Sequence, residues 1–259
     1  MATQPSNNLI LSAVAKNLTV DFVGRRVLHG VHLELHPGQL TVIIGRSGSG
    51  KTTLLRTFNR LNEHYPACAS SGTLKLHFQD GWQDIYQDGI NLAELRQRVG
   101  MVFQNPTILP FSVEKNISLL LKLILNLPRS ELEGRVESAL RQVHLWSEVK
   151  NRLRTPAAVL SGGQQQRLCL ARTLALEPEF LLLDEPTANL DFRIAQKIEE
   201  LLLELKTRCQ IVAVSHSLNQ ARRLADQLLV LKNGSLMSTL SPAEFQQPER
   251  WQDLLTEMF

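Results

Sequence analysis

Residues 42–55 read VIIGRSGSGKTTLL, and no other stretch narrows the possible folds so far. A short β-branched run reads as a buried strand. A loop with three glycines follows, and Lys51, Thr52 and Thr53 lead into an apolar, helix-forming segment. Gly45, Gly50, Lys51 and Thr52 fill the invariant positions of G-x-x-x-x-G-K-[ST], in the strand–loop–helix setting that pattern needs. Physically this is a phosphate cradle. Glycines let the backbone turn tightly and aim successive N–H groups at an anion. The helix beginning near Lys51 adds the positive end of its dipole. Lys51 can then reach the β- and γ-phosphates of a nucleotide, and the Thr52 hydroxyl can ligate Mg²⁺. The candidate nucleotide contacts are Gly45, Arg46, Ser47, Gly48, Ser49, Gly50, Lys51, Thr52 and Thr53.

The flanking segments supply a sheet for such a loop. Residues 9–22 and 31–35 alternate apolar and polar as antiparallel strands do, and a His36-Pro37-Gly38 turn precedes a strand at 40–44. Residues 52–61 read as a helix burying Leu54, Leu55 and Phe58. Loops at 65–71 and 79–91 bracket a strand at 73–78, and a helix at 92–98 leads to a strand at 99–103 that stops at Gln104-Asn105-Pro106. A helical segment runs from about 113 to 176. Ser112 opens one helix and a cap signature at Ser130 another, whose Leu132, Val136, Leu140 and Val143 recur at helical spacing. Strands at 180–183, 211–214 and 228–231 then alternate with helices at 191–206 and 218–225. These strands are continuous apolar runs, which implies an α/β fold with a mostly parallel sheet covered on both faces. The tail after Pro242 reads as helical.

Composition removes several function classes. At 259 residues and 43 % hydrophobic, the chain can form one large domain or two small ones. A formal charge of +3 with no dense basic run speaks against a nucleic-acid partner. Three scattered cysteines, Cys68, Cys169 and Cys209, suit a reducing compartment, and Cys169 between two leucines reads as a small core residue. No export signal is evident. The most apolar stretch, 117–127, is broken by Lys122 and Asn126 and falls short of the ~20 residues of a membrane span. The chain is therefore expected to be soluble alone and to reach a membrane only through a partner. Whether 117–127 meets that partner or its own core is open at this level.

A cradle alone implies binding; residues 180–185, FLLLDE, add the chemistry of hydrolysis. Ligands of parallel sheets sit at the carboxyl ends of the strands, which brings Asp184 to the cradle. Asp184 suits Mg²⁺ as the acidic partner of Thr52. Glu185, facing the other way, is placed to orient or deprotonate a water attacking the γ-phosphate. Gln104 and His216 also follow strand ends. The first can meet the Mg²⁺ shell or the attacking water, the second the γ-phosphate. Residues 160–167, LSGGQQQR, open a helix with a hydroxyl and two glycines, a second exposed helix N-terminus. Its free N–H groups suggest a nucleotide sandwiched between two copies of the chain. Phe22 precedes the cradle and could stack on an adenine, although its place on a strand favours a core ring.

Taken together, these residues resemble the ATP-binding subunits of ABC transporters over nearly the whole length. The Walker A loop is 45–52, the Q-loop residue Gln104, the signature 160–164, Walker B 180–185, the D-loop 188–191 and the switch histidine His216. The resemblance implies a RecA-like P-loop core with an antiparallel β-subdomain and a helical subdomain. A single ATPase domain would span 9–250, with 105–176 as the helical part and 251–259 as a tail. It also implies ATP and Mg²⁺ as cofactors, with Thr52, Gln104 and Asp184 at the metal and Glu185, His216 and Gln104 at the chemistry. Phe22 becomes the adenine-stacking ring. Ser161, Gly162, Gly163 and Gln164 would act on ATP held by the partner of a head-to-tail homodimer, and Asp191 would link the sites across the interface. Arg46 stands where Pro is frequent, and Ala188-Asn189 where Ser-Ala is common.

Residues 58–62, 84–86, 95–104, 145–153 and 161–169 are most similar to the phosphate-import subgroup. That implies two transmembrane permease subunits, an extracytoplasmic solute-binding protein acting indirectly, and a place at the cytoplasmic face of the inner membrane. The segment NPTILPF at 105–111, the apolar 117–127 and the tail depart from that subgroup. Another oxyanion or small solute is the alternative cargo. A non-transport ABC ATPase would usually carry a coiled-coil insertion or a second cassette, and a non-hydrolysing module would not need Glu185 and His216.

Overall fold

The computed structural model describes residues 11–188 and 190–258. The first residues of the strand expected from position 9, Asn189 of the expected D-loop and Phe259 of the tail lie outside them. The chain opens with β1 (Ala13–Phe22) and β2 (Arg25–Leu35), joined by Val23 and Gly24. Both joining residues have positive φ, 50° and 77°, the backbone of a two-residue hairpin turn whose twist matches the strands. β2 therefore begins six residues before the expected 31. β3 (Leu40–Ile44) feeds the glycine loop, and α1 (Lys51–Thr57) leaves it. This helix stops short of residue 61. The buried Thr57 hydroxyl donates to the Leu54 carbonyl at 2.6 Å, and Arg60 turns left-handed at φ 55°.

β4 (Cys68–Phe78) and β5 (Gly81–Asp84) follow, correcting the loops expected at 65–71 and 79–91. The small polar residues 68–71 have weak strand preference, so pairing with β1 decides their conformation, Ser71 opposite Thr19 and Cys68 opposite Phe22. α2 (Leu92–Arg98) is capped by Asn91 and runs into β6 (Val99–Val102). Next come α3 (Val113–Ile124), α4 (Arg129–Gln142), α5 (Trp146–Val149) and α6 (Gly162–Leu174), of which α3, α4 and α6 pack on one another. Ser112 caps α3 as expected, its hydroxyl accepting from the Lys115 N–H. The cap of α4 is not Ser130 but Pro128, extended at φ −68° and ψ 153°. Ser130 thus falls inside the first turn. The chain ends with β7 (Phe180–Asp184), α7 (Phe192–Leu205), β8 (Gln210–Val214), α8 (Leu218–Leu224), β9 (Gln227–Lys232), β10 (Ser235–Leu240), α9 (Pro242–Phe245) and α10 (Pro248–Met258).

Among the described residues one sheet has the order β2-β1-β4-β5 and is antiparallel; the other has the order β10-β9-β3-β8-β7-β6. In the second, β6, β7, β8, β3 and β9 run parallel and β10 returns antiparallel at the edge. The apolar runs are explained by two cores. Val42, Ile44, Leu181, Leu183, Ile211 and Ala213 enter the core shared with α3, α4, α6 and α7. Ile43, Leu182, Val212 and Val214 enter the other, closed by α1 and the antiparallel sheet. Alternate side chains thus leave opposite faces into packed interiors, so the strands are apolar along most of their length, and the buried polar residues near their starts, Thr41, Gln210 and Gln227, are hydrogen-bonded. The stretch 117–127 is split the same way, with Ile117 and Leu121 buried in the first core and Leu123 and Ile124 outward. No helix among the described residues is long and apolar enough to cross a membrane.

Candidate active site

Parallel pairing delivers the chemistry to one edge. Ile43 of β3 lies opposite Val214 of β8, Val214 opposite Asp184 of β7, and Leu183 opposite Val102 of β6. The residues just beyond those ends, at the carboxyl edge, are Gly45, His216, Glu185 and Gln104. The cradle is built as its glycines require. A Cβ on Gly45, φ +157°, would strike the Leu231 carbonyl oxygen of β9, and one on Gly50, φ +99°, would sit 3.0 Å from a Leu28 methyl. Ser47 and Gly48 form the exposed tip with Arg46, the Ser49 N–H donates to the Arg46 carbonyl at 3.1 Å, and the Leu54 N–H to that of Gly50 at 2.8 Å. The Ser49 hydroxyl is buried and has no hydrogen-bond partner among the described residues. Thr53, half-buried, gives its carbonyl to the Asn62 amide at 2.9 Å.

Lys51 folds back over the loop, donating to the carbonyls of Gly45 at 3.0 Å and Arg46 at 2.9 Å. Burial pulls its pKa down, opposed by the charges of Glu185 and Asp184. The Thr52 hydroxyl donates to Asp184 Oδ1 at 3.2 Å. Burial pushes the Asp184 carboxyl up, against the bond from Thr52 and the charges of Arg56, Lys51 and His216. Hydroxyl and carboxylate oxygens side by side, in a site with cationic neighbours, are the hard donors Mg²⁺ prefers. Among the described residues no three His, Cys, Asp or Glu side chains converge on a metal position. A cation here would complete its shell from phosphate and water, as Mg²⁺ commonly does. The donor set fits that ion.

Glu185 is held through both its backbone and its side chain. Its φ is +50°, unusual for a side chain of this size, and its N–H donates to the Val214 carbonyl at 3.1 Å. Its carboxylate is gripped from two strands. Gln104 Nε2 donates to Oε2 at 3.1 Å and His216 Nε2 to Oε1 at 2.7 Å. The Glu185 side chain is only 12 % exposed, the His216 ring 48 %. A backbone held in a sparsely populated conformation by surrounding bonds is a mark of a functional site.

Phe22 has the core contacts of a strand phenylalanine and a partly open ring. It packs against the core and meets Tyr65 edge-on at 5.8 Å, yet stays half-buried. Asp191 caps α7, its carboxylate accepting from the Ile194 N–H at 3.1 Å. The signature is not brought to the cradle of its own chain. Among the described residues no hydrogen bond joins 161–164 to residues 45–53 or to Glu185. Ser161 and Gln164 form a capping box instead, the Ser161 hydroxyl accepting from the Gln164 N–H and the Gln164 side chain from the Ser161 N–H. Two of the N–H groups expected to be free are thereby taken, and those of Gly162 and Gly163 remain.

Sequence reasoning missed the residues that hold the edge together. Gln220 accepts from the Ser215 hydroxyl at 2.8 Å and donates to Thr187 at 2.6 Å and Glu199 at 2.9 Å, tying the loop of His216 to the loop after Glu185. Gln166 donates to the Phe103 carbonyl at 2.9 Å and Arg172 to that of Thr107 at 2.8 Å, so α6 steadies the loop of Gln104. The run Gln164-Gln165-Gln166 next to the apolar Leu168-Cys169-Leu170 was the available signal.

Known proteins match this arrangement. The ABC transporter family profile covers residues 28–188. The phosphate import ATP-binding protein PstB of Pyrobaculum aerophilum is 49 % identical over 86 % of this chain and 88 % of its own. The protein of the same name from Thermotoga maritima is 41 % identical over 94 % and 95 %. An ATP-binding cassette solved as a dimer in a post-hydrolysis state, bound to ADP and Pi, superposes with a TM-score of 0.75 at 28 % identity, over 89 % of this chain and 98 % of that one. On the fold, the carboxyl-edge cluster and these relatives together, the chain belongs to the ABC transporter family.

Proposed function

We propose that the chain is the ATP-hydrolysing subunit of an importer of inorganic phosphate. The observation that carries hydrolysis is the Glu185 carboxylate, held by Gln104 and His216 one residue beyond the Thr52–Asp184 pair. Similarity to phosphate-import ATP-binding proteins along most of the chain supports the solute.

In this reading Phe22 stacks the adenine, and the N–H groups of residues 45–53 cradle the phosphates. Lys51 exchanges its two backbone carbonyls for phosphate oxygens. Thr52, Asp184 and Gln104 would hold Mg²⁺, which when bound neutralises charge on the β- and γ-phosphates. Glu185 orients the attacking water and takes its proton, while Gln104 and His216 keep the carboxylate aimed. His216 also reaches the γ-phosphate. Two copies close head to tail, so that Ser161, Gly162, Gly163 and Gln164 of each complete the nucleotide site of the other and Asp191 lies across the interface. Closure drives two transmembrane permease subunits at the cytoplasmic face of the inner membrane, through the surface near 104–117. A solute-binding protein outside delivers the phosphate. The ATPase domain spans 9–250, with 105–176 its helical part.

The test is reconstitution with the permease subunits in proteoliposomes. Phosphate-loaded binding protein should stimulate ATP hydrolysis and drive radiolabelled phosphate uptake. Stimulation by another oxyanion and not by phosphate would overturn the solute; absence of hydrolysis under every condition would overturn the enzyme.

A further inference from the structure

We propose that Glu148 is a positioning residue for the signature loop, and through it governs hydrolysis of the nucleotide held by the opposite copy. This rests on the head-to-tail dimer proposed above. Glu148 lies on the short helix α5, away from the carboxyl edge of the sheet. Its carboxylate pairs in bidentate fashion with Arg167 of α6, with Nη1 at 2.7 Å and Nη2 at 3.1 Å. The same Oε2 accepts from Gln164 Nε2 at 2.8 Å. Arg167 also donates to the His144 carbonyl at 2.6 Å, and its side chain is 6 % exposed. Burial pushes the Glu148 carboxyl up, but the bonds from Arg167 and Gln164 outweigh it and hold the group ionised below the usual carboxylate range.

The bond to Gln164 has a directional consequence. An amide has one donating and one accepting end. Because Glu148 claims Nε2, Oε1 must face the other way, where it accepts from the Ser161 N–H at 3.1 Å and from Arg152 at 3.4 Å. That closes the capping box and leaves Gly162 and Gly163 as the open N–H groups of the first turn. Without Glu148 the amide loses the acceptor that anchors its Nε2, and Arg167 loses its counter-charge. The first turn of α6 then loosens. Those N–H groups are the ones a γ-phosphate on the other copy would meet, so the damage is felt across the interface.

The experiment pairs Glu148→Ala with Lys51→Ala. Alone, Glu148→Ala should bind fluorescent ATP in its own cradle like wild type and lose turnover about 10²-fold, as misplacement of a charge-stabilising group does. Removing Glu148 leaves the buried Arg167 guanidinium without its counter-charge, which can cost stability. Glu148→Leu with Arg167→Met replaces the pair by apolar groups, keeps the fold and should show the same loss. In a mixture with Lys51→Ala, the mixed dimer joins the intact cradle of one chain to the intact signature of the other, and single-turnover hydrolysis should rise above that of either variant alone. A control mixture, Gly163→Asp with Lys51→Ala, tests the dimer itself. If the control gains activity and the Glu148 mixture does not, the assignment of Glu148 is overturned. If the control also fails, the head-to-tail reading falls and Glu148 with it. Wild-type turnover in Glu148→Ala overturns the proposal directly.

Discussion

Replacing Glu185 by Gln separates the observed bonding of this carboxylate from the role of base proposed for it. The side chains are nearly isosteric, so the left-handed backbone at φ +50° and the bond from the Glu185 N–H to Val214 are untouched. The carboxylate accepts twice, from Gln104 at 3.1 Å and His216 at 2.7 Å. An amide has one accepting oxygen, so one contact survives and the other sets donor against donor. Losing one charge-assisted bond costs about 1.5–3 kcal/mol. It should show as a lower Tm. Turnover suffers separately, because an amide cannot take a proton from water. A positioned base contributes about 10²–10⁴-fold, or roughly 3–5 kcal/mol of barrier at 1.36 kcal/mol per decade. ATP affinity should hold, since the cradle and the Thr52–Asp184 pair are elsewhere. Single-turnover hydrolysis and equilibrium binding of ATP read the two effects apart. His216→Ala should lower turnover as well, and combined with Glu185→Gln it should add little, because residues acting as one unit are not additive. Turnover within tenfold of wild type, or affinity falling in step with it, would refute the assignment of Glu185 as base.

Two further outcomes follow from burial. Asp184 has its folded pKa raised by burial, so as pH climbs the unfolded chain ionises first and stability is lost between the unfolded and folded values. Asp184→Asn should therefore raise Tm at pH 7 without nucleotide or Mg²⁺, and lose that advantage near pH 3, where both states are protonated; a lower Tm at pH 7 would contradict this. Burial pushes the Cys209 thiol up to about 11. At pH 8 its thiolate is scarcer than that of a free cysteine by about 10²-fold, so alkylation followed by peptide mass spectrometry should be slow in the native chain and fast in denaturant. Equal rates would show that the thiol is not shielded.

The parallel core was legible because burial on both faces leaves a signature that no neighbour can alter. Residues 180–183 and 211–214 must be apolar throughout when each alternate side chain enters a different core. The antiparallel sheet was less legible. Residues 68–71 are small and polar, and their strand exists because β1 offers a ladder for it, with the Thr19 and Ser71 hydroxyls 2.5 Å apart. The Val23-Gly24 turn was invisible for a related reason. Valine is a poor choice at positive φ, and the strands on either side impose the turn.

The site divides along the same line. Backbone-dictated parts were readable, since Gly45 has no room for a Cβ and Lys51 and Thr52 start a helix. The side-chain clamps were not, because hydrogen-bond partners 81 residues apart, as in the bond from Gln104 to Glu185, leave no local period in a sequence. The glutamines show this most clearly. Gln104, Gln164, Gln166 and Gln220 each join a catalytic-edge or signature segment to a different element. Each link is a donation from the amide nitrogen, so each glutamine ties its segment down without adding a charge whose pKa would compete with Asp184 or Glu185. Replacing any one of them by Glu keeps the size and discards the donor. The cradle holds a nucleotide by backbone geometry, and in the reading proposed here these neutral links determine whether its γ-phosphate meets a base and a second chain in the correct register.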